Sequence, residues 1–243
     1  AEGVKFLLDA LNTFIHWVEQ LPYASIDGIW LYQLEVLGLY LSGGLVFYYF
    51  ANRGLKNLLI CLFSILLLGV YHVSMSWVDR PLDSIVFYNV RGCPAVHCID
   101  NNGNSRIVYG DSLSDKRQLY RVATNYWNHH QLLSPLEVTA DYQDTALCCR
   151  EQILSYHGRR ICMVTDHRWR NKSAATPLYI DYLYLCKGYN GHLKELRLLF
   201  APECIILDAS LSEHRKQLFE EECKQSGLRF ISLSEKGSVR FLL

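Results

Sequence analysis

Arg159-Arg160 and the run Asp166-His167-Arg168-Trp169-Arg170 with Lys172 place five cations and one large aromatic ring within a short stretch of chain. Such a mixture can hold a single nucleic-acid strand, the cations on phosphates and the indole against a base. The same residues also fit a solvated loop with one packed tryptophan, and both readings stand at this level. Asp166-His167 alone is too few ligands for a tight metal site. His97, Cys98, Cys186 and His192 form a second possible ligand set, but neighbours on a strand point to opposite faces, which separates His97 from Cys98. Ser112, Ser114 and Asp115 fit helix capping better than catalysis. The nine cysteines contain no C-x-x-C pair, and the adjacent Cys148 and Cys149 suit neither one tetrahedral metal nor an unstrained disulfide. Buried free thiols are the expectation. No Ser-His-Asp set or glycine-rich phosphate loop is evident, and we assign no catalytic residue, metal or cofactor from the residues alone.

The elements that must carry these residues fall into two regions. Val4, Leu7, Leu8, Leu11, Phe14, Ile15 and Val18 recur at helical spacing opposite Lys5, Asp9, Asn12, His16 and Glu19, predicting an amphipathic helix over 4–20 that closes at Leu21-Pro22. With Trp17 it suits the membrane interface. Residues 29–50 follow as an apolar span with aromatic residues at both ends, and residues 57–76 as a second. Glu35 lies near the start of the first span. It either faces other helices or a watery cavity, as a polar or structural element of a bundle, or sits at the interface. Gly43-Gly44 offers a close helix contact. Arg53 and Lys56, with no acid between the spans, assign that loop to the cytoplasm and residues 79–243 to the opposite, periplasmic side. Ala1 and the absence of a signal peptide suggest a piece of a longer chain.

From Pro81 onward the pattern alternates between periods of two and 3.6, predicting an α/β domain over 79–243. Strands are expected at 85–90, 95–99 and 106–109, the last two joined through Asn101-Asn102-Gly103-Asn104, and a helix at 114–133. A hairpin around His157-Gly158, a strand at 178–185, a helix at 193–200, a strand at 204–209 and a helix at 212–225 ending at Gly227 come next. Strands at 229–233 and 239–243 form a closing hairpin around Lys236-Gly237. The chain has 24 Lys and Arg against 24 Asp and Glu, so its zero net charge demands no polyanionic partner, and any basic patch is local.

The order of these elements carries a resemblance. Asp181-Tyr-Leu-Tyr-Leu, a short loop, a helix, Ala201-Pro202, the strand Cys204 to Asp208, a helix from Glu213 and Gly227 are similar to the second half of the metallo-β-lactamase-like domain of ComEC-type DNA uptake proteins. Residues 85–111 resemble its opening strands, and the apolar spans after a Leu-Pro close resemble the end of its competence region. Two departures matter. The family's His-x-His-x-Asp-His motif is missing, and Lys187-Gly188-Tyr189-Asn190 stands where a His-His-Gly-Ser loop belongs. The resemblance thus implies a degenerate, non-hydrolytic and truncated metallo-β-lactamase fold of the kind in Bacteroidetes-type bacteria. It further implies a multi-pass protein of the bacterial inner membrane that passes single-stranded DNA, with other competence or envelope proteins, or a second copy, as partners. A membrane-tethered metal-dependent hydrolase or nuclease, and a structural envelope module, are the alternatives.

Overall fold

The computed structural model describes residues 2–19, 30–110, 116–138 and 141–243. Leu21-Pro22, Asp111, Ser112, Ser114 and Asp115 lie outside them. The chain divides into two compact units, Ala1–Met75 and Ser76–Leu243.

The first unit contains α1 (Glu2–Glu19), α2 (Gln33–Ala51) and most of α3 (Leu55–Val78). In α1, Leu8, Leu11, Phe14, Ile15 and Trp17 are exposed. α2 and α3 are long and apolar enough to cross a membrane, and their apolar side chains stand in the open, as Tyr40 (79% exposed) and Leu62 (64%) illustrate. A core helix of a soluble protein would hide them. The buried residues of α2, Glu35 and Ser42, share one helical face with Gly38. A Cβ on Gly38 would meet Leu68 Cδ2 at 2.3 Å, whereas nothing lies within 4 Å of one on Gly43 or Gly44. The close approach of α2 to α3 is therefore at Gly38, one turn beyond Glu35, and not at the glycine pair.

The second unit is built on two sheets. The five-stranded one runs in the order β12 (Val239–Leu242), β1 (Ser84–Phe87), β2 (Ala95–Ile99), β3 (Ser105–Tyr109), β4 (Leu136–Val138). β3 and β4 are parallel and joined through α4 (Lys116–His129). The seven-stranded sheet has the order β11 (Arg229–Ser232), β10 (Phe200–Leu207), β9 (Leu178–Leu185), β8 (Arg159–Val164), β7 (Ile153–Tyr156), β6 (Leu147–Arg150), β5 (Tyr142–Gln143). Its β8–β11 half is parallel, with α5 (Leu193–Arg197) before β10 and α6 (Glu213–Ser226) before β11.

Alternation along the strands makes three cores. Ile85, Phe87, Val96 and Cys98 meet Ile161, Met163, Tyr184 and Ile206 between the two sheets. Cys162, Val164, Leu183, Leu185, Ile205 and Leu207 turn the other way, toward Leu193, Leu196, Phe219 and Cys223 of the helices. Val86, Tyr88, Ala95 and Ile107 pack on Leu119, Ala123 and Trp127 of α4. The layers thus run α4, five-stranded sheet, seven-stranded sheet, α5 with α6.

Several boundaries differ from the sequence reading. The first strand stops at Phe87, where pairing with β2 and β12 ends. The helix from Leu193 stops at Arg197, and Phe200 already opens β10 because it pairs with Leu178. The closing hairpin does not form: β11 joins β10 in one sheet and β12 joins β1 in the other. Between them the short helix α7 (Leu233–Lys236) and Gly237, at φ 83°, redirect the chain. The turns at 101–104 and His157-Gly158 do make hairpins, and α6 ends on Gly227 in the left-handed conformation.

All nine cysteines are free, and all but Cys148 are buried. Burial pushes the thiols of Cys98, Cys162 and Cys223 up to about 12, which holds them in the unreactive protonated form. Cys98 faces the inter-sheet core while His97 faces α4. His192 instead pairs with Glu222 at 2.6 Å. His97, Cys98, Cys186 and His192 therefore do not converge.

His97 is fully buried. Trp127 Nε1–H donates to Tyr88 Oη at 2.9 Å, and Tyr88 Oη and His97 Nδ1 share a hydrogen bond at 2.7 Å. Nε2 has no hydrogen-bond partner among the described residues. Burial depresses the imidazole to about 3, far below its ordinary value near 6.5. The unfolded chain thus takes up a proton through pH 6.5 that the fold refuses until about pH 3, so stability present above 6.5 falls as pH drops across that window. We expect acidification from pH 6.5 to 3 to cost this unit on the order of 4 kcal/mol through His97. His97→Phe should flatten the acid limb of a fluorescence-monitored unfolding series. An unchanged limb would remove His97 as its source.

Candidate nucleic-acid interface

In a parallel sheet the chain leaves every strand at the same end, so loops gather there and leave a crevice beyond the strand carboxyl ends. Here the loops after β9 and β10, together with the β1–β2 loop, surround a cleft of about 630 Å³ lined by Arg91, Lys187, Tyr189, Ser210, Ser212 and Arg215 among others.

Each wall has a local cause. Asp208 ends β10, and its carboxylate accepts the Tyr184 hydroxyl at 2.5 Å and the Ser210 N–H at 2.9 Å. Burial raises the Asp208 carboxyl, opposed by those hydrogen bonds. The turn it holds presents Ser210, whose Oγ accepts the Gly92 N–H at 2.7 Å and so ties the β1–β2 loop with Arg91 to the cleft. Ser212 then caps α6, accepting the Arg215 N–H at 3.4 Å, and the positive end of that helix opens at the rim. Arg215 donates to the carbonyls of Gly191 (2.5 Å) and Tyr189 (3.5 Å) and lies 4.6 Å from the Phe219 ring centroid. Its Nε is buried without an acceptor among the described residues. Burial pushes Tyr189 up to about 12, with Glu195 adding to the rise and Arg215 opposing it.

None of the described residues lining the cleft is acidic, whereas Arg91, Lys187 and Arg215 are cationic. Among the described residues no three His, Cys, Asp or Glu side chains gather to hold a metal. The donor set here is ammonium, guanidinium, hydroxyl and amide, which does not suit a divalent cation but does suit an oxyanion.

The structure distributes the sequence-derived candidates unevenly. Arg159 and Arg160 sit at the amino end of β8, away from the cleft. Arg159 Nη1 donates to Asp181 Oδ1 at 2.7 Å, and the Arg160 backbone N–H donates to Asp181 Oδ2 at 2.8 Å. Arg168 Nε donates to both Asp166 oxygens at 3.0 Å. Lys172 lies 5.6 Å from the Trp169 ring centroid, and that ring packs edge-on against Phe200 at 5.2 Å. The His167 and Tyr189 rings are 6.1 Å apart, so the loop bearing Arg168 and Arg170 borders the cleft. Glu35 is far from this chemistry in sequence and belongs to the first unit. Its carboxylate accepts the Tyr32 N–H at 2.9 Å and lies 2.8 Å from His72 Nδ1 on α3.

Arg91, Ser210 and Arg215 were not singled out by residue patterns. A signal was present, since each lies near a turn after a strand, but only the parallel order of β9 and β10 and the Gly92–Ser210 tie between the sheets gather those turns. Gly188 makes the gathering possible: at φ +143° a Cβ there would stand 2.1 Å from the Thr165 carbonyl oxygen. Gly92, at φ +79°, has open space around it. Gly188→Ala should therefore cost more than about 2 kcal/mol, while Gly92→Ala should cost only about 1 kcal/mol of left-handed strain. Thermal unfolding of the two variants side by side in detergent tests this, and equal losses would mean that the loop relaxes around a Cβ.

No curated protein and no solved structure matches the chain. Residues 85–243, which include every strand of both sheets except the first residue of β1, match the family described as ComEC C-terminal domain. That match covers well over half of the sequence, and the chain belongs to the ComEC C-terminal domain family.

Proposed function

We propose that this chain is the C-terminal part of a multi-pass inner-membrane component of competence DNA uptake, whose α/β domain guides single-stranded DNA without cutting it. Family membership supports a role in competence DNA uptake. In this reading α2 and α3 cross the membrane as part of a larger helical bundle, and the domain lies on the periplasmic side. Their exposed apolar faces await other helices, lipid, other competence or envelope proteins, or a second copy.

The cleft carries the non-hydrolytic part of the reading. By the family resemblance Lys187-Gly188-Tyr189-Asn190 stands where a metal-binding loop is expected, in a degenerate version of a metallo-β-lactamase-like domain. Metal hydrolysis of a phosphodiester needs several ligands converging on each ion. Lys187, Arg91 and Arg215 instead offer side-chain cations at that place. They can hold a phosphate but cannot generate a hydroxide nucleophile. Tyr189 is buried beneath them. A strand held at Lys187 would continue toward Arg170 and Arg168 on the adjoining loop, with Lys172 beyond.

Binding is expected to be weak, in the micromolar range, and salt-sensitive. In fluorescence anisotropy with an oligo-dT strand and the full 243-residue chain in detergent, Arg91→Gln with Lys187→Gln should weaken binding about tenfold. It should also flatten the log–log salt slope by about 1.4, two phosphate contacts on a single strand. Arg159→Ala with Arg160→Ala, at the other end of β8, should change neither. Unaltered affinity in the Arg91 and Lys187 variant would sink the cleft as the DNA site.

A further inference from the structure

A second cleft lies at the other end of the five-stranded sheet, where the chain arrives from α3. It has a volume of about 430 Å³ and is lined by Trp77, Arg80, Asn101, Asn102, His130 and Gln131 among others. The first cleft touches the β1–β2 loop at Arg91 and Gly92. This one touches the opposite turn, between β2 and β3, so the two sit at opposite ends of β2.

Three observations distinguish it from an ordinary polar groove. Arg80 is exposed, stacks 4.8 Å from the Trp77 ring centroid, and has no ion-pair partner among the described residues. The neighbouring carboxylate of Asp79 is turned toward His129, at 3.7 Å, and those of Asp83 and Asp100 accept the Asn101 and Asn102 backbone N–H groups. Around the mouth, large apolar side chains stand in the open: Trp77 (67% exposed), Val78 (77%), Leu82 (58%) and Leu133 (61%). The Leu133 N–H donates to the Gly103 carbonyl at 3.0 Å, which fixes that leucine beside the cleft wall.

A guanidinium without a partner, amides from a turn, a tryptophan and exposed leucines in one place match the chemistry of a membrane interface. There the aromatic ring and aliphatic chains enter the acyl boundary and a cation meets the phosphate layer. Trp77 and Val78 are the last two residues of the apolar helix α3, so the cleft is continuous with that helix. We infer that this cleft binds the phosphate of an anionic phospholipid head group. Arg80 contacts the phosphate, the side-chain amides of Asn101, Asn102 and Gln131 donate to its oxygens or to head-group hydroxyls, and Trp77, Leu82 and Leu133 cover the glycerol end. The bound lipid seats this end of the domain on the bilayer and leaves the Arg91 and Lys187 cleft at the end remote from it. The inference rests on α3 entering a membrane, and is otherwise independent of DNA binding.

The test uses the full 243-residue chain in detergent and follows its thermal midpoint on addition of phosphatidylglycerol, phosphatidylcholine or inorganic phosphate. Phosphatidylglycerol should raise the midpoint by about 5 °C at a large excess over its Kd, and the other two by less than about 1 °C. Arg80→Gln should abolish most of that rise and Arg80→Lys should keep at least half. Should Arg80→Gln fail to fold, Asn102→Ala on the exposed turn carries the same test and should reduce the rise. A full rise in the Arg80→Gln or Asn102→Ala chain overturns the proposal. So does an equal rise with phosphatidylcholine, which would mean acyl chains around the helices alone, or with inorganic phosphate, which would mean an ion site. Recovery of the chain from carbonate-washed membranes in the soluble fraction would defeat the membrane reading itself, separately from these outcomes.

Discussion

Ile161, Cys162, Met163 and Val164 of β8 alternate between two hydrophobic cores, as do Leu183 to Leu185 of β9 and Ile205 to Leu207 of β10. The middle of the seven-stranded sheet therefore has no face left for a ligand. Layers on both sides are the usual fate of parallel strands, because their crossovers lay helices over the sheet. Polar chemistry is confined to strand ends, where backbone groups run out of ladder partners and side chains regain water. Asp181, midway along β9, is buried beside the amino end of the shorter β8 and holds Arg159; Asp208 is buried at the carboxyl end of β10 and holds the turn that shapes the cleft. One buried carboxylate thus consumes a cation, while the other spends its hydrogen bonds on a hydroxyl and a backbone N–H and pairs with none of the described cations that line the cleft.

That contrast explains how a chain of zero net charge can carry a local positive cleft. Counting Arg and Lys along the sequence favours the 159–172 stretch, where cations are dense. Density is a poor guide to availability, because a cation beside a carboxylate has most of its field cancelled. Arg159 lies on Asp181 and Arg168 on Asp166. Arg91 and Lys187 are isolated in sequence, and among the described residues the rim they occupy has no acidic lining residue.

The same logic separates what was legible in the sequence from what was not. Hairpins set by Asn-Gly and His-Gly turns, the strand at Leu178–Leu185 and the helix stop at Gly227 are local events, and residue types alone specify them. The fate of the last two strands is not local. Arg229–Ser232 and Val239–Leu242 look like hairpin arms, yet each finds a more buried partner in a different sheet, β10 and β1. The cleft is non-local in the same sense. Its walls come from positions about 90, 188 and 210, and no window of sequence contains them together. Trp169 shows the converse: an aromatic among cations suggests base stacking, but this ring already packs against Phe200 in a T-shaped contact and has Lys172 over it.

Glu35 shows how one polar residue can organise an apolar unit. A carboxylate among apolar helices is tolerated when hydrogen bonds meet its oxygens, and here the Tyr32 N–H and the His72 ring do so. Gly38 lies one turn further along α2, on the same face, and receives Leu68, which is one turn before His72 on α3. Polar pair and glycine contact thus repeat in step along both helices. Between helices whose other faces are mostly apolar, sliding costs little because one leucine replaces another. A slip of one turn would here strand the Glu35 carboxylate against aliphatic side chains and press Leu68 onto a bulkier residue. The pair fixes the register of the hairpin because every alternative register leaves a charge unmet.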